Sequence, residues 1–71
     1  MLFVYPNLLS VMEERYMDYR DLASVLNMEP LAVYRRMRGV TGWKLDETVR
    51  ICEYFTISDL PWLFARFDAT L

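Results

Sequence analysis

Residues 18–39, DYRDLASVLNMEPLAVYRRMRG, carry the signals of two short helices and the turn between them. Asp18 is a good helix N-cap, and Asp21 stands three residues on, where a capping box places an acid. Leu22, Ala23, Val25 and Leu26 supply an inner face. Asn27 follows the last apolar residue and tolerates the left-handed backbone that often ends a helix. A second helix starts near Glu29 and Pro30, since proline suits a first helical turn. Val33 and Met37 are four apart and point inward together, while Tyr34, Arg35 and Arg38 lie on other faces. Gly39 is the stop. The reading is two short helices, about 19–26 and 30–38, joined by Asn27, Met28 and Glu29. Small Ala23 permits close approach and Met28 plugs the turn. This is the size of a helix-turn-helix, which sets its second helix at a steep angle to the first.

Before this run, Pro6 or Asn7 opens a helix to about Tyr16, with Leu8, Leu9, Met12 and Tyr16 on a buried stripe and Glu13, Glu14 and Arg15 mostly on the wet side. A fourth helix runs from about Leu45 to Phe55. Leu45, Val49, Cys52 and Phe55 form its stripe, and Ile51 widens it. A short fifth helix follows Ser58 or Asp59 and contains Leu60, Pro61, Trp62, Leu63 and Phe64. No region alternates long enough to make a strand, although Leu2–Tyr5 reads as a short extended arm. The expectation is one all-α domain over 1–71, a five-helix bundle.

Seventy-one residues suffice for one domain. With one cysteine, Cys52, and no histidine, neither an internal disulfide nor a zinc cluster is available. A core without staples must be apolar, and 55% of the residues are hydrophobic. No basic residue precedes the apolar N-terminal run, and no uncharged stretch reaches membrane-spanning length, so a soluble cytoplasmic protein is expected. Cys52 falls on the inner stripe, and the acid pairs Glu13–Glu14 and Asp46–Glu47 are neighbours that do not converge on a substrate. No enzyme, metal or cofactor is expected. The net charge is −2, but it is unevenly spread. Residues 29–50 carry five Lys and Arg against three acids, while both flanks are acidic. The middle of the chain thus offers a local basic face.

At these residues the chain resembles the phage-repressor and Cro-type helix-turn-helix domains, the lambda-repressor-like fold. The matching residues are Leu22, Ala23 and Leu26 in helix two, Met28 after the turn, and Val33 and Gly39 in helix three. Leu45, Val49 and Cys52 match helix four, and Leu63 and Phe64 the apolar ending. The run Arg35, Arg36, Met37, Arg38, Gly39 is similar to one common in prophage proteins. Together these cover roughly residues 7–65. The resemblance implies a sequence-specific transcriptional regulator that binds double-stranded DNA with helix three in the major groove. It implies Leu31, Tyr34 and Arg35 facing bases, and Tyr19, Arg36, Arg38 and Lys44 holding phosphates. Tyr34 can equally pack against a neighbour, and Trp43 reads as core. Aromatic density near the C-terminus exceeds what a small core needs, so Trp62, Phe64 and Phe67 are candidates for a homodimer surface.

The chain also departs from that pattern. Asn27 stands where glycine is usual, Tyr19 where glutamine is frequent, and Glu29 where serine or threonine caps. Pro30, Leu31 and Ala32 occupy the turn where polar base-reading residues are usual. Together with the acidic balance, these motivate a second expectation: a protein-interaction module, such as an antirepressor or an inhibitor of a host protein, that keeps the fold and does not bind DNA.

Overall fold

The computed structural model describes residues 3–67. Five helices occur among them, in the order α1 (Pro6–Glu14), α2 (Tyr19–Leu26), α3 (Pro30–Met37), α4 (Leu45–Phe55) and α5 (Leu60–Leu63), and no strand. The chain is an all-α small helical bundle, as its periodicity predicts. No helix among the described residues is long and apolar enough to cross a membrane.

The helix starts follow local chemistry. The Asp18 carboxylate accepts from the Arg20 and Asp21 backbone N–H groups at 2.9 and 3.2 Å, and Asp21 Oδ2 accepts from the Asp18 N–H at 2.9 Å. This is the capping box of α2. Asp59 caps α5 by accepting from the Trp62 N–H at 3.0 Å. Prolines occupy the first turns of α1, α3 and α5, where their missing N–H costs nothing.

The helix ends share one device. Tyr16, Asn27, Gly39 and Thr56 all have φ between 54° and 79°. After each, the next N–H returns to a carbonyl five residues back: Met17 to Met12, Met28 to Ala23, Val40 to Arg35 and Ile57 to Cys52, at 2.9–3.0 Å. This 6→1 bond satisfies carbonyls that a helix end leaves unpaired. The motif usually seats the following residue on apolar surface. Met17, Met28 and Ile57 do pack on the core, whereas Val40 is 67% exposed.

One continuous core joins the elements. Leu8 and Met12 of α1, Leu22 and Leu26 of α2, Val33 and Met37 of α3, Ile51 and Phe55 of α4, and Leu63 of α5 are fully or almost fully buried. Each such side chain contributes roughly 1.5–3 kcal/mol of burial. Helices α2 and α3 touch extensively and α2 also rests on α4, so α3 is held through its Val33–Met37 face while its opposite face looks outward.

Two expectations about inner faces are corrected. Tyr16 is not on the α1 stripe: it is left-handed and 96% exposed, because α1 ends at Glu14, and Val11 is buried instead. In α4 the stripe is rotated. Leu45 and Val49 are exposed, and Glu47, Thr48, Ile51, Cys52 and Phe55 are buried. Thr48 tolerates burial because its Oγ1 donates to the Leu45 carbonyl at 2.6 Å.

The arm is described from Phe3 on; Leu2 lies outside the described residues. Val4 N–H donates to the Met37 carbonyl at 3.0 Å, and Phe67 N–H donates to the Val4 carbonyl at 2.7 Å. Both ends of the described segment therefore meet at the C-terminal end of α3.

Candidate nucleic-acid interface

Leu31 and Arg35 of α3 and its C-cap Arg38 stand at i, i+4 and i+7 and are all exposed. They form one ridge, opposite the buried Val33 and Met37. The side chains of Arg35 and Lys44 make no ion pair or hydrogen bond among the described residues. Arg38 lies over the Tyr34 ring, its Cζ 5.8 Å from the centroid, and has no carboxylate partner among the described residues. Lys44 precedes α4 and is exposed; its backbone N–H donates to Glu47 Oε1 at 2.9 Å.

Arg36 sits differently from its neighbours. Its Nε donates to Glu47 Oε1 at 2.9 Å and its Nη1 to the Ala32 carbonyl at 3.2 Å. The two side chains are only 12% and 9% exposed. This guanidinium is turned away from the α3 ridge, where the resemblance expects a phosphate-holding group. Its partner Glu47, read from the sequence as a solvated acid, is buried.

Tyr19 and Tyr34 are half-buried and in contact, with centroids 5.0 Å apart. Phe3 meets Tyr34 edge-on at 5.6 Å. Tyr34 thus takes the neighbour-packing alternative with its ring. Arg20, which local sequence pattern does not single out, lies over Tyr19 at 5.5 Å and makes an exposed ion pair to Asp18 at 3.4 Å.

The C-terminal aromatics divide. Phe64 contacts Tyr5 and Trp43 by ring edges at 6.1 and 5.9 Å and is partly buried on the core. Trp62 and Phe67 are 45% and 64% exposed. Trp43 packs partly buried against the core as expected, with its Nε1 buried and unpartnered among the described residues. Cys52 is buried beside a groove of about 680 Å³ between α4 and α5. Burial, aided by the Asp59 carboxylate, pushes its thiol pKa up, which makes it a poorer nucleophile.

The chain therefore presents, on α3 and at its C-cap, a ridge with two cations that pair with no acid among the described residues. No protein-family model matches the chain, and no curated protein or solved structure is significantly similar to it.

Proposed function

We propose that this protein is a sequence-specific DNA-binding regulator of phage or prophage type, built on a lambda-repressor-like helix-turn-helix, which lays α3 in the major groove of duplex DNA. The observation that carries this reading is the exposed Leu31–Arg35–Arg38 ridge, whose two arginines have no carboxylate partner among the described residues, in a chain that is acidic overall. Arg35 is central on the ridge and long enough to reach guanine O6 and N7. Leu31 meets a thymine methyl. Arg38 and Lys44 hold phosphates, with Tyr19 beside them at the start of α2. Arg36 serves the fold through Glu47. The protein acts in the cytoplasm as a homodimer, which sets two copies of α3 about one DNA turn apart, and Trp62 and Phe67 are the exposed aromatics available for that contact.

A second reading is favoured by one feature. Leu31 is 55% and Val40 67% exposed, one on the α3 ridge and the other just past the helix. Exposed apolar groups there suit a protein partner, in a module that does not bind DNA.

Affinity for random duplex DNA at two salt concentrations separates them. A DNA binder loses affinity steeply with salt, and Arg35→Ala with Arg38→Ala lowers the slope by about one for each phosphate that is no longer neutralised. No binding at low salt would sink the DNA reading and leave the protein-partner one.

A further inference from the structure

Four side chains form a connected series that bridges α2 and the end of α3, with the two central rings tilted 59° to one another. Arg20 Cζ lies 5.5 Å from the Tyr19 centroid, Tyr19 lies 5.0 Å from Tyr34, and Arg38 Cζ lies 5.8 Å from Tyr34. Phe3 closes on Tyr34 edge-on at 5.6 Å. The rings are half-buried and both arginines are exposed.

The geometry has a chemical consequence. A guanidinium lying over a ring keeps its N–H donors in its own plane, where a phosphate can take two of them side by side. The ring also restricts a long side chain before any ligand arrives, so less rotamer freedom is given up on binding. Arg36 shows the contrast, since its Nε and Nη1 are already engaged by Glu47 and Ala32. The acids nearest Arg20 are occupied at the helix end: Asp18 accepts from two backbone N–H groups and Asp21 from one. The Arg20–Asp18 pair itself is exposed at 3.4 Å, and such a pair yields readily to a competing anion.

We propose that Tyr19 and Tyr34 are positioning residues that hold Arg20 and Arg38 as a pair of phosphate-gripping cations, so that Arg20 joins the contacts to the DNA backbone. This rests on the DNA-binding reading. It makes Tyr34 a brace and not a reader of bases.

The test is the salt dependence of duplex binding for wild type, Arg20→Ala, Arg38→Ala, Tyr34→Phe, Tyr34→Leu and the Arg38→Ala/Tyr34→Leu double variant, with thermal unfolding as the check on folding. Arg20→Ala lowers the salt slope by about one. Tyr34→Phe, which keeps the ring, binds like wild type. Tyr34→Leu weakens binding about two- to fivefold, the worth of one exposed cation–π interaction, and costs much less once Arg38 is gone. A wild-type slope in Arg20→Ala, or a Tyr34→Leu effect that persists undiminished without Arg38, would overturn the proposal while leaving DNA binding intact. Failure of the wild type to bind at low salt overturns the DNA reading itself, and this inference with it. If Tyr34→Leu does not fold, Arg20→Ala decides, because that side chain is exposed and outside the core.

Discussion

Arg36 Nε and Glu47 Oε1 meet at 2.9 Å in a pair of which little reaches solvent, and the bond ties α3 to the first turn of α4. Glu47 Oε1 also accepts from the Lys44 N–H, so one oxygen fixes the loop between the helices. Removing one partner leaves the other charge buried with a backbone hydrogen bond but no opposite charge. Arg36→Ala or Glu47→Ala should each cost about 3–5 kcal/mol, whereas Arg36→Met with Glu47→Leu should be far closer to neutral. Chemical denaturation of the three variants checks this. A double variant that costs as much as either single one would mean that an unpaired buried charge is not the source of the loss.

Gly39 and Gly42 should respond oppositely to alanine. Gly39 has φ of 79°, and a Cβ there would lie 2.6 Å from Arg66 Nη2 and 3.0 Å from Val4 Cγ2. The left-handed backbone alone costs an alanine about 1–2 kcal/mol, and the neighbours must also shift. Nothing lies within 4 Å of a Cβ at Gly42, and its backbone is not left-handed, so Gly42→Ala should change stability by no more than about 1 kcal/mol, in the stabilising direction. Melting temperatures of the two variants settle the order.

Tyr16 holds the same backbone region as Gly39, at φ 55°, with its ring 96% exposed. The side chain gains no burial to offset that conformation. Tyr16→Asn or Tyr16→Gly should therefore raise stability by about 0.5–1 kcal/mol. A drop in stability on denaturant titration would show that the left-handed backbone at Tyr16 is not a source of strain.

Asp18 titrates below its ordinary value, chiefly because its carboxylate accepts the Asp21 N–H, with the Arg20 N–H and guanidinium adding to the effect. A lowered folded-state value means that the charged cap stabilises the fold at pH above the ordinary carboxylate range. That contribution fades as pH falls through the folded-state value. Asp18→Asn keeps an acceptor oxygen and does not titrate. Wild type should melt higher than Asp18→Asn at neutral pH, and the gap should close on acidification. A gap independent of pH would refute the assignment.

Much of this is readable in the sequence because it is local. The Asp18 box, the left-handed Asn27, the proline that opens α3, the Val33–Met37 face and the Gly39 stop all depend on residues within four positions of one another. The bounds of α4 are equally legible. Its inner face is not, because Leu45 and Val49 are as apolar as the residues that are buried, and only the neighbouring helices choose between two overlapping stripes. Arg36 and Glu47 are eleven residues apart on different helices, and nothing in spacing marks one arginine of three as paired. The same limit hides Arg20, whose ring partner Tyr19 is adjacent in the chain but is joined to Tyr34 and Arg38 only by the fold.

The bonds that join Val4 to Met37 and Phe67 to Val4 have a kinetic side. The α2–turn–α3 unit is made of short-range contacts, which form quickly, while the terminal tie closes a loop of nearly the whole chain and bears the largest closure entropy. The second helix of the pair thus takes shape early, but its C-terminal end, with Gly39 under Arg66 and Val4, is sealed last. Amide protons of Val4 and Phe67 should exchange ahead of those in α2, and the last turn of α3 opens first when either end lets go.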